Sequence, residues 1–248
     1  MKKNQIIARY TKAKAQANGD KKGYDIRNQS GGVAHLYIYD EIDRYWGIDA
    51  QELIKDLSDV KSPVVLHLNT PGGNVFDGLA IYETLKAFPY PVEARIEGLA
   101  ASIGSIIALG ANRVTMGKAS FFMIHRPWSI VAGDADAMLT EAALLEKIEG
   151  TLGDIYAGKT GREREELDGW MRVETWFTGE EALAAGFIDE LFTMEIETEA
   201  ARAAFDLSVF DNVPERLRLQ TPGQMVEDKR ARLVERRGSV YKALGWIE

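Results

Sequence analysis

Apolar and polar positions along the chain switch repeatedly between a period of two and a period near 3.6. Val33 to Tyr39 (V-A-H-L-Y-I-Y) is an apolar and aromatic run with strand character. Asp49 followed by Glu52 predicts a capping box opening a helix to about Leu57. Val64 to Leu68 (V-V-L-H-L) predicts a buried strand that runs into the turn Asn69-Thr70-Pro71-Gly72-Gly73. A helical stretch then extends from about Val75 to Ala87, closed by Pro89 and Pro91. Val92 to Ile96 is the next expected strand, followed by Gly98 and a small-residue helix over 101–111. Val114 to Met116 and Phe122 to Ile124 are short strand candidates. From Asp136 to about Ala157 the residues Leu145, Ile148, Leu152 and Ile155 recur at helical spacing. Strands alternating with helices predict an α/β domain whose sheet is covered on both faces.

The two ends read differently. Residues 1–30 are polar and Lys-rich, with Gly19 near the middle, and are expected to form a flexible basic arm. Residues 31–195 make the expected core. Residues 196–248 are Ala-, Arg- and Glu-rich, carry Pro214 and Pro222, and are expected to be a partly helical C-terminal extension. The charge follows this division. Of a net −8, residues 1–30 hold +6 and 201–248 hold +2, leaving −16 on 31–200. So acidic a middle argues against a nucleic-acid-binding core, which needs a basic face.

Composition adds exclusions. With 46% hydrophobic and 27% charged residues the chain is of ordinary globular type. It has no cysteine, so disulfides, thiolate zinc sites and a cysteine nucleophile are all excluded. No apolar run approaches the roughly 18 residues of a spanning helix. Met1-Lys2-Lys3 is basic but no apolar region follows it, which predicts no signal peptide. A cytoplasmic protein without membrane contact, cofactor or metal is the expectation.

The candidate chemistry is a serine at a strand-to-helix turn. In Ala100-Ala101-Ser102-Ile103-Gly104, small residues stand on both sides of Ser102. A serine nucleophile needs such neighbours to project from a tight elbow, with the next backbone N–H turned toward an oxyanion. Alone, this segment equally suits a small-residue helix start packed on a sheet. Of the three histidines, His35 and His67 sit inside apolar strand patterns and suit structural roles. His125 instead follows the strand F-F-M-I and precedes Arg126-Pro127, at a strand end where catalytic side chains emerge. Gly72-Gly73 would permit close backbone approach and an exposed N–H, or simply an ordinary Pro-Gly-Gly turn.

Taken together, N-T-P-G-G, A-A-S-I-G and M-I-H-R-P, in this order and spacing, resemble the Clp protease proteolytic subunit family over roughly residues 33–192. The segment from Thr175 to Asp189 resembles that family's closing stretch. The resemblance implies a Clp/crotonase-type spiral of β-β-α units with a protruding handle helix, the latter over residues 136–157. It implies Ser102 as nucleophile, His125 as general base, and backbone N–H groups of Gly73 and Ile103 as the oxyanion hole. Backbone around Gly72 would bind substrate. The family's third catalytic residue is usually an aspartate; the matching position holds Glu174, a departure, and Asp168 is the reserve candidate. The resemblance further implies protein or peptide substrates and a homo-oligomeric ring, single or stacked in pairs. The stretch around Glu174 (R-V-E-T-W-F-T-G-E-E-A) looks most like the Clp-related head maturation proteases of tailed phages, which process scaffold and capsid proteins. The alternatives are a housekeeping proteolytic subunit served by an AAA+ unfoldase, and a catalytically silent ring component. A hydratase acting on CoA thioesters would have no use for the Ser-His pair, and a Ser-Lys peptidase would leave His125 idle. No P-loop sequence is present, so no ATP hydrolysis through such a loop is expected of this chain.

Overall fold

Runs rich in Val, Ile and Leu pair side by side because only a sheet satisfies their backbone groups while burying both faces. The computed structural model describes residues 23–28, 32–44, 47–193, 207 and 210–214. The strands in it are β1 (Tyr24–Asn28), β2 (Ala34–Ile38), β3 (Val64–Thr70), β4 (Val92–Ala101), β5 (Arg113–Gly117), β6 (Phe121–Ile124), β7 (Thr175–Thr178) and β8 (Glu190–Phe192). They form one sheet in the order β1-β2-β3-β4-β5-β8, with β6 paired to β4 and β7 to β6. All pairings are parallel except β1 with β2 and β6 with β7. β4 forks: Glu93–Ile96 pair with β5, whereas Leu99–Ala101 pair with β6.

Six helices accompany the strands among the described residues: α1 (Ala50–Ser58), α2 (Val75–Lys86), α3 (Ile103–Leu109), α4 (Ala135–Thr160), α5 (Arg164–Arg172) and α6 (Gly179–Ala185). Asp49 caps α1 as expected, its carboxylate accepting from the backbone N–H of Gln51 and Glu52. Asn74 does the same for α2 through Phe76 and Asp77. α3 is buried along its whole length, as its apolar sequence requires. In the 26-residue α4, the buried positions Ile148, Leu152, Gly153 and Tyr156 all fall in the second half. Its first half exposes Met138, Leu139 and Leu144. One aromatic cluster closes the core beneath it, with Phe187 stacked on Phe122 at 4.8 Å and edge-on to Tyr156 at 5.7 Å.

Two expectations are corrected. Residues 24–28 are not part of a loose arm: they form β1, held to β2 from Tyr24↔Ile38 to Asn28↔Ala34. Residues 1–22 lie outside the described part. β4 does not stop at Ile96 but runs through Gly98 to Ala101, so the following helix begins only at Ile103. Gly98 does not end the strand, because the pairing that continues onto β6 carries it past that residue. The long helix, expected over 136–157, spans Ala135–Thr160, with its buried positions confined to the second half. Most of 196–248 lies outside the described residues. Within the separate compact unit Asp206–Glu248, Leu207 and Val213 are buried and Phe210 N–H donates to Leu207 at 3.1 Å.

Alternation along β2 buries Ala34, Leu36 and Ile38 and turns His35 and Tyr37 to the other face. There a polar chain crosses three strands. His35 Nδ1 and His67 Nε2 lie 2.8 Å apart, and His67 Nδ1 is 2.7 Å from Glu97. Tyr39 donates to the second Glu97 oxygen, and Tyr37 stacks on His67 at 4.3 Å. Because an ionised Glu97 only accepts, His67 donates from Nδ1, and His35 donates to the remaining His67 nitrogen. Burial, and then electrostatic interaction with His67 and Arg95, hold the His35 pKa below its ordinary value. Burial alone would raise Glu97, but hydrogen bonds from His67 and Tyr39 outweigh it and leave that pKa lowered. Both shifts have the same sign for stability: each contribution is present above the unfolded-state pKa and is lost as pH falls through the folded one. Denaturant unfolding between pH 8 and 4 is therefore expected to show stability declining below about 6.5, the ordinary histidine value. A second decline is expected below about 4.5, the ordinary value for Glu97. His35→Gln should flatten the first decline and Glu97→Gln the second; unchanged slopes would contradict the assignment.

Candidate active site

The site is assembled where β4 ends. Ser102 stands between β4 and α3 with φ 54° and ψ −128°, a left-handed conformation rare for a residue with a side chain. The strain, of order 1–3 kcal/mol, persists only where the surroundings over-determine it. Three hydrogen bonds do so. Ser102 N–H donates to Met123 O at 3.0 Å, extending the β4–β6 pairing by one residue. The Ser102 carbonyl accepts from Ser105 N–H at 3.0 Å and from Ser105 Oγ at 2.6 Å. At about 0.5–1.5 kcal/mol net for each bond, these suffice to offset the strain.

His125 follows directly on β6, and its Nε2 lies 2.8 Å from Ser102 Oγ. The distance is that of a nucleophile bonded to its base, with the hydroxyl donating to an unprotonated Nε2. Both residues are half-buried, so the pair is open to a substrate. The chain beyond His125 is held by Arg126, whose N–H donates to Met171 O at 3.1 Å and whose guanidinium pairs with Glu149 at 2.8 Å.

Gly72 lies against the elbow. A Cβ placed on it would come within 2.7 Å of Ala101 O and 2.8 Å of Ser102 Cβ, and its φ of 95° disfavours any side chain. Gly73 forms a parallel bridge with Ile42, in which Ile42 N–H donates to Gly72 O and Asn74 N–H donates to Ile42 O, both at 2.7 Å. That pattern turns Gly73's own N–H to the opposite side, away from Ile42. Ile103 is the first residue of α3, so its N–H precedes the first intrahelical acceptor.

The two carboxylate candidates differ in placement. β6 and β7 are antiparallel with Ile124 opposite Thr175, so continuing the register sets His125 opposite Glu174 at the strand ends. Glu174 has φ 51°, and its Oε1 accepts from Trp176 Nε1 at 3.0 Å. Asp168 instead lies on α5 and accepts from Arg164, one turn earlier, at 3.2 Å. Sequence reading missed Ser105 and Tyr156, which join in the core at 2.7 Å. The one signal was that Tyr156 continues the Ile148, Leu152 spacing by four residues. Among the described residues no group of three or more His, Cys, Asp or Glu side chains is arranged to hold a metal, and no helix is long and apolar enough to cross a membrane.

The Clp protease family model matches residues 18–195. A curated relative, the ATP-dependent Clp protease proteolytic subunit 1 of Protochlamydia amoebophila, is 32% identical over 66% of this chain and 83% of its own length. The ATP-dependent Clp protease proteolytic subunit 3 of Rhodococcus jostii is 34% identical over 54% of this chain and 67% of its own. The ATP-dependent Clp protease proteolytic subunit of Streptococcus gordonii is 36% identical over 57% of this chain and 74% of its own. Among solved structures, a mutant ClpP1 from Listeria monocytogenes superposes with a TM-score of 0.57 at 24% identity, covering 65% of this chain and 92% of that one. The fold is thus the Clp type. The chain belongs to the Clp protease family and is a serine-type peptidase.

Gly72→Ala is expected to push the Asn69–Asn74 turn off the elbow, because the clash is with backbone and with Ser102 itself. Peptide hydrolysis should fall by at least about a hundredfold, the scale of losing one oxyanion contact. Gly161→Ala, another left-handed glycine but with open space around it, should leave turnover near wild type. Equal turnover in the two variants would show that the close approach is not needed.

Proposed function

We propose that this Clp-family serine peptidase cleaves internal peptide bonds through an acyl-enzyme on Ser102. The observation that carries the reading is the 2.8 Å contact between Ser102 Oγ and His125 Nε2 at a strained elbow. Ser102 Oγ attacks the scissile carbonyl carbon while its proton passes to His125 Nε2. The carbonyl oxygen becomes an oxyanion that accepts hydrogen bonds from Gly73 and Ile103 N–H. As the C–N bond breaks, His125 returns the proton to the leaving amine, and an ester on Ser102 remains. Water then attacks the ester, giving a proton to His125, and the second tetrahedral species expels Ser102, which takes that proton back. Glu174 is the third member. It orients the imidazole and stabilises the imidazolium, while Trp176 holds its other oxygen side in place. The antiparallel register beside His125 supports it, and the Arg164 pairing of Asp168 speaks against the reserve candidate. An extended substrate adds as a strand along Gly72–Asn74 and the backbone after His125, so main-chain contacts dominate binding.

The assembly we propose is a homo-oligomeric ring, stacked in pairs through the exposed first half of α4, with residues 31–195 as its peptidase core. For the biological setting we propose maturation of a phage prohead, with capsid or scaffold protein as substrate in the host cytoplasm. This rests on the sequence around Glu174 and on the Lys-rich first 30 residues. The names of the curated relatives favour a second reading, ATP-dependent degradation with a separate AAA+ unfoldase.

Two experiments test these readings. A fluorophosphonate is expected to label the wild type and not Ser102→Ala; label on the variant would remove Ser102 from the chemistry. In the same assay series, Glu174→Ala should lower kcat by roughly 10³ to 10⁴, and Asp168→Ala should stay within about twofold of wild type, as for a solvent-side pair. The inverse result would transfer the role. For the setting, the assembled particle is sized and casein hydrolysis followed with and without a Clp-type unfoldase and ATP. Hydrolysis that does not respond to unfoldase and ATP supports prohead maturation, and strong dependence on them supports the second reading.

A further inference from the structure

Ser105 and Tyr156 are two polar side chains sealed in the core, 0% and 1% exposed, that the chemistry above does not use. Their bonds have only one consistent direction. The Ser102 carbonyl can only accept, so the single Ser105 hydroxyl proton goes to it across 2.6 Å. Tyr156 OH, 2.7 Å from Ser105 Oγ, must then be the donor in that pair. Burial raises the Tyr156 pKa and keeps the proton on the phenol. The result is a chain from α4 to the elbow: Tyr156 O–H to Ser105 Oγ, and Ser105 O–H to Ser102 O.

The Ser102 carbonyl belongs to the same peptide unit as Ile103 N–H. Among the described residues there are no cis peptide bonds, so the oxygen and the N–H of this planar unit point in opposite directions. Whatever anchors the oxygen therefore aims the N–H. We propose that Ser105 and Tyr156 are positioning residues, which lock the Ser102–Ile103 peptide so that Ile103 N–H faces the substrate carbonyl oxygen. The inference rests on the reading of Ile103 as an oxyanion donor. The relay also strengthens that donor, because hydrogen bonds in series polarise one another and a carbonyl pulled from one side leaves its N–H more positive. A left-handed residue ahead of a short helix leaves this peptide free to rotate unless something holds it, and Ser105 N–H alone, at 3.0 Å, is the weaker of the two restraints.

The test uses the full-length protein, fluorescein-labelled casein and a fluorophosphonate, whose P=O oxygen would sit in the same hole. Ser105→Ala is expected to lower kcat about tenfold, a fraction of the 10²–10³ that follows complete loss of a donor, with KM within about twofold. Fluorophosphonate labelling should slow in parallel, and the midpoint of the pH–rate profile should not move, since His125 is untouched. Tyr156→Phe should lower kcat by a few-fold. Adding it to Ser105→Ala should cause no further loss, because the two act in series. An unchanged kcat in Ser105→Ala, a KM effect alone, or independent losses that multiply in the double variant would each overturn the relay. If Ser105→Ala does not fold, Tyr156→Phe decides: a lowered kcat at constant KM supports the proposal, and a wild-type kcat overturns it. Failure of the proposed function itself looks different, since Ser102→Ala would then still be labelled.

Discussion

Everything at the site depends on holding Ser102 in a conformation that its own side chain disfavours. A φ of 54° turns the chain sharply enough for α3 to start one residue beyond β4, and it lifts the hydroxyl clear of both elements. Relaxed into an ordinary strand or helix geometry, the same serine would be one more buried small residue. The neighbours follow from this demand. Only a glycine at 72 fits against the turned backbone, and the Ser105 hydroxyl adds a second bond to the carbonyl that Ser105 N–H already holds.

The elbow in turn depends on the fork in β4. The strand's first half pairs with β5, and its second half with β6, so Ser102 N–H finds Met123 O at the end of β6. That one bond also fixes how far His125 stands from Ser102, since His125 is two residues past Met123. β7 adds to β6 antiparallel and sets Thr175, the neighbour of Glu174, opposite Ile124, the neighbour of His125. Three side chains far apart in sequence are thus set by strand register rather than by contacts among themselves, and register is strongly specified when both faces of a sheet are buried. Ser102 and His125 both stand at strand ends. There a side chain can leave the sheet without interrupting its ladder.

Most of the strand and helix positions were legible because each carries a local signal: apolar alternation, a capping Asp49, a Pro-Gly-Gly turn, or helical spacing of Ile148 and Leu152. Ser102, His125 and Gly72-Gly73 were legible because elbow and turn chemistry restricts residue types over a few positions. The misses share a cause. β1 is polar in sequence (Y-D-I-R-N) and becomes a strand through its partner β2. The extra residues of β4 exist because β6 pairs with them. The meeting of His35, His67 and Glu97 required three strands to lie in register, and no stretch of sequence contains it.

The chain by itself therefore determined its α/β class, the order of the elements from β2 to α4 and the candidate pair Ser102 and His125, since periodicity, capping and small-residue turns are properties of neighbours in sequence. Only the tertiary structure decided how far β4 extends, that β7 pairs with β6 so that Thr175 stands opposite Ile124, and that a buried tyrosine on α4 reaches the elbow through Ser105. Those outcomes depend on strand register and helix docking, which bring together residues separated by tens of positions. The hydrogen bond between Tyr156 and Ser105 spans 51 residues of chain and exists only because α4 packs its second half onto α3.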